Sequence, residues 1–330
     1  MDLNDAPLVS VVIPICNHSA YVEECLNSLV AAEYAPLEVL LMDDGSRDNS
    51  YELAESWRAC RPDAFFRFKL MRQQNQGAAR SCNALIRLST GAYIAPLASD
   101  DCLLPRGLTA RVQYLEQNPG LLAVMGDCTI ISERSEKISD SALFDYRKSD
   151  RRAFTSPESL ADELVLRWTV PGPVLLLRRE AFFGPRAIGF YAEDDGIEDR
   201  DFFLRLLHRN ALGFVPERVS AYRVHIANNC RPNTPTGRLA HYRARLVSER
   251  KHIELFQGRR RLFLRLASMR FACLVERLGK GSQVSRLGEF VAAAGMVMLY
   301  YATWIGRRLS FGARWKSSTS GPKTSVHRTI

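Results

Sequence analysis

Two pairs of adjacent aspartates lie at the ends of apolar segments in this chain. Asp43-Asp44 follows residues 37–42, and Asp100-Asp101 ends a second run of the same kind. Neighbouring carboxylates repel each other unless water or a counter-ion separates them, and a hard divalent cation with phosphate oxygens does this well. One such pair alone is more often a solvated turn, because aspartate is common in turns. The second pair at another strand end favours a metal and phosphate site.

The segments around these acids alternate between strand and helix patterns. Continuous apolar, β-rich runs predict strands, whereas apolar residues three to four positions apart predict helices. This alternation predicts a mostly parallel sheet covered by helices on both faces, with ligands bound at the carboxyl ends of the strands. The polar loops that follow the predicted strands lie at those ends. The predicted strands cover residues 9–14, 37–42, 66–71 and 92–97, and the predicted helices cover residues 21–30, 51–57 and 78–88.

Beyond residue 101 the pattern changes. We expect this part of the chain to build the side of the site that binds a second substrate, the acceptor. Two polar segments, residues 133–153 and 184–196, predict loops or connectors. The other predicted elements are helices at 106–117, 157–168 and 197–207, and strands at 121–125, 129–132, 174–177 and 222–225.

Composition limits the class of protein. The chain has 330 residues, of which 46% are hydrophobic, enough for one large domain with an appendage. Its eight cysteines lack paired spacing, so they indicate neither a zinc site nor a disulfide framework, and a reducing cytoplasmic setting fits best. The N-terminus lacks the basic segment and apolar core of a secretory signal, which also indicates the cytoplasm.

The formal charge of +9 is unevenly distributed. Residues 231–330 contain 20 Lys and Arg against 4 Asp and Glu, a balance of +16, whereas residues 1–230 contain 25 against 32, a balance of −7. An acidic N-terminal part suits a site that gathers metal. A basic C-terminal part suits anionic lipid, polyphosphate or nucleic acid.

Four segments, in this order and spacing, resemble the inverting family 2 glycosyltransferases of the GT-A fold. The resemblance covers about residues 8–230, and the YRVH segment at 222–225 supports it. It implies a Rossmann-like mixed, mostly parallel sheet and transfer of a sugar from a nucleotide diphosphate. The four segments are VSVVIPICN at 9–17, EVLLMDDGSRDNS at 38–50, GAYIAPLASDDCLLP at 91–105 and IEDRDFFLRL at 197–206.

The resemblance implies that the second aspartate pair is the family's DXD-type motif. Asp101 is then the expected metal ligand, Asp100 is expected nearer the ribose, and His225 is a further candidate ligand for Mn²⁺ or Mg²⁺. Many members have Asp where this chain has Ala98, so the division of roles between Asp100 and Asp101 stays open. A lone histidine is more often structural, which is the alternative for His225.

The donor nucleotide is expected to bind beside the first aspartate pair. Asp44 can accept hydrogen bonds from a pyrimidine N–H and from ribose hydroxyls, whereas Asp43 is expected to cap the next helix. Arg80 is either a cation near the donor or an ordinary surface arginine on a helix. The residues expected to form the floor under the base are Pro14, Cys16 and Asn17.

Sugar transfer also requires a base for the acceptor hydroxyl. By resemblance this base is Asp199, with Glu193, Asp194 and Asp195 as alternatives. Glu198 and Gly172 are candidate acceptor-binding residues, although Gly172 also fits a plain turn. Without the other motifs, Glu198 and Asp199 would be ordinary acids in a first helical turn, each stabilising the helix by about 0.3–1 kcal/mol.

The last hundred residues lie outside the resemblance. We expect a catalytic domain at 1–230, a basic helical extension at 231–310 and a disordered tail at 311–330. Arginine-rich helical periodicity covers 238–278, and an uncharged run then reaches residue 305. Whether residues 287–305 span a membrane, lie on it or pack inside the protein stays open, with peripheral attachment to an anionic cytoplasmic leaflet favoured.

Other functional classes fit less well. A dinucleotide-binding oxidoreductase should carry GxGxxG in its first loop, and residues 16–19 contain no glycine. A nucleic-acid binder would account for the basic tail but not for the acidic N-terminal part, so no nucleic-acid partner is expected. A non-catalytic relative of the transferases is the remaining alternative. The sequence therefore predicts a metal-dependent, inverting glycosyltransferase that uses a nucleotide sugar, with UDP the favoured nucleotide, and a glycan or lipid-linked acceptor in surface polysaccharide assembly.

Overall fold

The N-terminal half of the fold consists of strands separated by helices, as the sequence predicts. The structure, a computed structural model, describes residues 6–194, 196–225, 234–280 and 284–319, excluding the side chains of 280, 284–285 and 306–319. The first strand is a continuous apolar run because both of its faces are covered, and Val11, Val12 and Ile13 are fully buried. The elements are β1 (Val9–Ile15), α1 (Val22–Val30), β2 (Leu37–Asp44), α2 (Ser50–Cys60), β3 (Arg67–Gln73), α3 (Ala78–Leu88) and β4 (Tyr93–Pro96).

The second half adds shorter strands and completes a mixed sheet. Its elements are β5 (Cys102–Leu103), α4 (Gly107–Gln117), β6 (Ala123–Ser132), β7 (Lys137–Ser139), α5 (Pro157–Leu166), β8 (Leu175–Arg178), α6 (Glu198–His208) and β9 (Leu212–Val224). The strand order is β3-β2-β1-β4-β8-β6-β9-β5, with β7 paired to β6. Strands β1 to β4 are mutually parallel, and β6 is parallel to β9, whereas β8 is antiparallel to both of its neighbours.

Two strands of this half are longer than predicted. The segments at 121–125 and 129–132 are one strand, β6, whose pairing with β9 shifts register between Met125 and Asp127. Gly126 lies at this irregularity because a Cβ there would approach Val219 Cγ1 to 2.4 Å. The strand predicted at 222–225 covers only the end of β9. The middle of β9, around Glu217, is exposed and polar, so it interrupts the apolar pattern that would have predicted the whole strand.

The C-terminal helices pack on the α/β domain. They are α7 (Pro235–His252), α8 (Gly258–Lys280) and α9 (Val284–Thr319). Arg200 of α6 and Glu249 of α7 form a fully buried ion pair, and Arg260 of α8 donates a 2.7 Å hydrogen bond to Asp162 of α5. The predicted boundary between 230 and 231 lies outside the described residues. Helix α9 reaches into the predicted tail, of which residues 320–330 also lie outside the description.

Candidate active site

One aspartate of the second pair lies between two histidines. Asp100 Oδ2 is 2.9 Å from His225 Nε2, and Asp100 Oδ1 is 3.9 Å from His18 Nδ1. Ser99 Oγ lies 2.8 Å from the same His18 nitrogen and orients the ring. Potential ligand atoms of His18, Asp100 and His225 all lie within 4.8 Å of one another. Burial lowers the pKa of His18, although the charge of Asp100 acts the other way. A neutral imidazole is the form that binds metal, so these residues fit a divalent cation.

The other aspartate of the pair points into the protein. Asp101 is buried, and its Oδ1 accepts a 2.8 Å hydrogen bond from the backbone N–H of Arg223. Burial, followed by the charge of Asp100, raises the pKa of Asp101, and Arg223 partly opposes this. A Cβ built on Gly172 would lie 3.9 Å from Asp101 Oδ2, so Gly172 lies beside this carboxylate. The two aspartates thus have different surroundings, and Asp100 rather than Asp101 lies in the histidine cluster.

Arg223 holds this aspartate loop in place, and sequence reasoning missed it. Its fully buried side chain donates from Nε to the carbonyl of Asp100 at 2.7 Å and from Nη2 to Glu24 Oε2 at 2.7 Å. It also stacks over the ring of Tyr21, with its guanidinium carbon 4.7 Å from the ring centroid. Its signal in the sequence is its place within the YRVH segment, two positions before the candidate ligand His225.

His18 was missed as well, although it follows Cys16 and Asn17 in the loop after β1. Its backbone N–H donates to Ser50 Oγ at 2.9 Å, which fixes the loop against α2. Strands β1 and β4 are adjacent and parallel, so the loops that follow them meet. This adjacency could have placed His18 beside Asp100.

Asp44 organises the start of α3. Its Oδ1 accepts hydrogen bonds from Gln73 Nε2 at 2.8 Å and from the backbone N–H of Gln76 at 2.9 Å. Its Oδ2 accepts from the backbone N–H of Gly77 at 2.8 Å. Asp44 as a whole is 2% exposed, and its carboxylate joins the loop after β2 to the loop after β3.

The loops after β1 and β2 are also tied together. The backbone N–H of Asn17 donates to Ser46 Oγ at 3.0 Å, and the backbone N–H of Arg47 donates to Asn17 Oδ1 at 2.8 Å. Asp43 Oδ1 accepts from the backbone N–H of Ser46 at 3.1 Å, in the turn that precedes α2. Burial raises the pKa of the half-buried Cys16 thiol, as do the charges of Asp44 and Asp43.

A cleft brings both halves of the chain together next to these loops. It has a volume of about 190 Å³ and is walled by Pro14, by α3, by residues 96–98 at the end of β4, and by the start of α6. Gly172 and Tyr191 complete the wall. Glu198 and Asp199 thus share one cavity with the residues that precede Asp100.

Asp199 is an exposed residue that lines this cleft, yet enough protein atoms lie near its carboxylate to desolvate it. Burial raises the pKa of Asp199, opposed by the hydrogen bond from the Arg200 N–H and by the charge of Arg245. That N–H lies 2.6 Å from Asp199 Oδ1. Burial and the charge of Asp199 also raise the pKa of Glu198. A carboxylate with a raised pKa is a stronger base than an ordinary aspartate.

Arg80 forms ion pairs with the loop before α6. Its Nη2 is 2.9 Å from Asp194 Oδ1, and its Nε is 3.5 Å from Glu193 Oε2. Asn83 Nδ2 donates to Glu193 Oε1 and to the Tyr191 carbonyl, both at 2.9 Å. Two alternative bases are therefore paired with α3, whereas the third, Asp195, lies outside the described residues.

Similarity to a family model lies within the first half of the chain. Residues 10–163 match the family model described as Glycosyl transferase family 2. An uncharacterized glycosyltransferase of Bacillus subtilis, EpsJ, is 29% identical over 49% of this chain and 41% of its own length. Chondroitin synthase of Escherichia coli is 37% identical over 31% of this chain and 14% of its own length. This chain therefore spans less than half the length of these curated relatives.

Solved structures resemble the chain over most of its length. TarS 1–349 of S. aureus, in complex with UDP-GlcNAc, has a TM-score of 0.60 at 13% identity, covering 89% of this chain and 81% of that one. The mannosyltransferase PcManGT of Pyrobaculum calidifontis, in complex with GDP-Man and Mn²⁺, has a TM-score of 0.60 at 19% identity, covering 93% and 86%. At these identities the likeness concerns the fold.

Proposed function

We propose a reaction for this chain on the premise that it belongs to glycosyltransferase family 2, whose model matches residues 10–163. The predicted GT-A fold is confirmed by the structural matches. The proposed reaction is transfer of a sugar from a nucleotide diphosphate to an acceptor hydroxyl, with inversion at the anomeric carbon. The observation that supports it most directly is the cleft that brings Asp199 to the loop before Asp100.

In this reaction Asp199 takes the proton of the acceptor hydroxyl. The hydroxyl oxygen then forms a bond to the anomeric carbon, and the bond from that carbon to the diphosphate breaks with its electron pair leaving on the phosphate. A single displacement of this kind inverts the anomeric centre. Glu198 and the backbone at Gly172, which line the same cleft, are proposed to bind the acceptor.

His18, Asp100 and His225 are the residues that would hold a divalent metal. Imidazole favours transition metals more than Mg²⁺, which prefers oxygen ligands, so this set favours Mn²⁺ over Mg²⁺. The Mn²⁺ complex of the structurally similar mannosyltransferase supports the same choice. A bound metal would neutralise charge on the leaving diphosphate. The role first expected for Asp101 as ligand passes in this proposal to Asp100, and Asp101 becomes a residue that shapes the loop.

The donor is proposed to be a UDP-sugar, bound along Pro14, Cys16, Asn17 and Asp44, with Arg80 available to the donor only after it leaves Glu193 and Asp194. The acceptor is proposed to be a glycan or a lipid-linked saccharide in surface polysaccharide assembly. We propose that the protein acts in the cytoplasm, in peripheral contact with an anionic membrane.

A donor screen tests this function. Nucleotide release from UDP- and GDP-sugars should require Mn²⁺ and should respond more weakly to Mg²⁺. With the best donor, Asp100→Asn should raise the Mn²⁺ concentration needed for half-maximal activity by at least about 10–100-fold, because a change beside a ligand already costs that much and this change alters the ligand itself. Asp101→Asn should leave that concentration near the wild-type value. The metal assignment fails if the two variants exchange these results. The enzymatic function fails if no donor in the screen yields nucleotide release above the level of Asp199→Asn.

The pH profile provides a second check. The base is active when deprotonated, so kcat should fall as pH drops through the pKa of Asp199, which burial raises above its ordinary value. The positive charge of Arg245 lowers that pKa, so Arg245→Gln should move the acid limb to higher pH. Arg243→Gln, an exposed change on the same helix, serves as control and should leave the limb in place. An unmoved limb in Arg245→Gln would argue against Asp199 as the titrating base.

A further inference from the structure

Helix α9 carries an exposed apolar stripe. Its members are 50% to 71% exposed and recur three, four or seven positions apart, so most share one helix face. The stripe consists of Leu287, Phe290, Val291, Met298, Tyr301 and Ile305. Within the described residues, Arg286–Ile305 is a segment long and apolar enough to cross a membrane, and 11% of it is buried.

A basic pocket opens beside one end of this stripe. It has a volume of about 560 Å³, and Tyr301 belongs both to its wall and to the stripe. The remaining aromatic lining comes from Tyr300 and Trp304 of α9. The charged residues of the wall are Lys148, Arg151, Arg152, Arg167 and Asp150. Asp145, outside the wall, lies 3.7 Å from Arg151, so four cations face two carboxylates and the excess of positive charge still makes the pocket complementary to an anion.

The wall of the basic pocket is held in place by its own contacts. Arg167 donates to the carbonyls of Arg147 at 2.5 Å and Lys148 at 2.6 Å, and it lies over the Tyr300 ring at 5.6 Å. Tyr300 in turn donates to Glu163 Oε1 at 3.2 Å. The loop that carries Lys148 is therefore fixed to α9, and its cations stay next to the apolar stripe.

We propose that the basic pocket binds the phosphate of an anionic phospholipid headgroup while the apolar stripe lies in the membrane interface. Apolar side chains enter the acyl boundary, aromatic residues prefer the headgroup level, and Lys and Arg attract lipid phosphates. The apolar stripe, the aromatic residues at its end and the cations of the pocket follow one another in this same order. Two copies of this surface would bring the same excess of cations together, so charge disfavours self-association through it.

Helix α9 lies on the membrane in this proposal and does not cross it. Its other face packs along α8, where a Cβ on Gly295 would lie 3.1 Å from Leu266 Cδ1. Glu289 of α9 is also 2.7 Å from Arg277 of α8. A crossing would carry α8 and its exposed Arg265 into the hydrocarbon, at a high free-energy cost.

The basic pocket lies close to the cleft along the chain. Arg167 and Gly172 are five positions apart, a distance of at most about 18 Å in an extended chain. A headgroup at Arg167 would hold the cleft near the membrane surface, where a lipid-linked acceptor is found. This last step rests on the proposed reaction, and the docking as a whole specifies the membrane contact that was proposed with it.

Vesicle flotation with the full chain tests the docking. We expect binding to phosphatidylcholine vesicles that contain phosphatidylglycerol and much weaker binding to phosphatidylcholine alone. Lys148→Gln/Arg151→Gln should weaken binding to the anionic vesicles by about 30-fold, since each surface cation contributes about fivefold. Phe290→Ser/Met298→Ser should lower binding to both vesicle types. The matched control is Lys137→Gln/Arg218→Gln, two exposed cations that line a different cavity, and it should bind like the wild type.

Three results would overturn the proposal. The first is equal binding of the wild type to the two vesicle types. The second is saturable binding of inorganic phosphate without any vesicle binding, which would assign the pocket to a free anion. The third is a wild-type protein that does not bind vesicles but self-associates, and loses this self-association in the Phe290→Ser/Met298→Ser variant. Nucleotide release with a soluble acceptor should persist in the Lys148→Gln/Arg151→Gln variant, so loss of docking and loss of the proposed reaction are distinguishable.

Discussion

Asp199→Asn should lower kcat for sugar transfer by about 10²–10⁴-fold, the usual contribution of a general base. The substitution preserves shape, and the amide oxygen can still accept the hydrogen bond that the Arg200 N–H donates to Asp199. The donor should therefore bind as before, and the loss should fall on the chemical step. Single-turnover transfer measured with a confirmed donor and acceptor separates this loss from slow product release.

Asp194→Asn is the matched control for this experiment. Asp194 is exposed, and it pairs with Arg80 across the loop before α6. Its replacement should change kcat by less than about threefold, the scale of a surface ion pair. If Asp194→Asn abolished turnover while Asp199→Asn retained it, the base would have to be reassigned to that loop.

Glu249→Gln should destabilise the protein by about 3–5 kcal/mol, because breaking a buried ion pair leaves its partner charge uncompensated. Glu249 is fully buried, and its two oxygens lie 3.3 and 3.2 Å from Arg200 Nε and Nη2. Arg245 Nη2 is a further 2.6 Å partner. Since Arg200 follows Asp199 directly, the same change should also disturb the start of α6. Urea unfolding followed by circular dichroism measures the free energy of unfolding.

Glu254→Gln tests whether burial is the cause of this loss. Glu254 pairs with Arg261 at the surface, and its side chain is 71% exposed. Exposed pairs contribute about 0–1 kcal/mol, so this variant should unfold close to the wild type. A Glu249→Gln variant as stable as Glu254→Gln would mean that α7 does not hold α6 in the way the contacts indicate.

The sequence predicted the N-terminal strands and helices well because each has a pattern of its own. A parallel strand buried on both faces is a largely apolar run, and β1, β2 and β4 have this form apart from buried polar residues such as Ser10 and Glu38. Strand β9 differs, since its middle is exposed and polar although its ends are buried. Its length follows from pairing with β6, a contact between distant segments that no local pattern contains.

The sequence indicates which residues belong to the candidate site better than it indicates how those residues are arranged. The sequence could not tell Asp100 from Asp101 because their difference arises from the direction of each side chain after β4. That direction depends on Arg223, which binds the Asp100 carbonyl and the Asp101 carboxylate from a strand more than a hundred positions away. His18 was missed for a related reason, since its partner Asp100 follows the adjacent strand β4 but is distant in sequence.

Arg223 also bears on how this protein can be divided. The match to the family model ends at residue 163, which suggests a minimal fragment that could be cut out or exchanged with a relative. Such a fragment would retain β1 to β4 but lose the guanidinium that joins the aspartate loop to Glu24 on α1. A chimera made from this chain should therefore take β9 together with the first half. The geometry of the donor side depends on Arg223 of β9, so the two segments have to be exchanged as one unit.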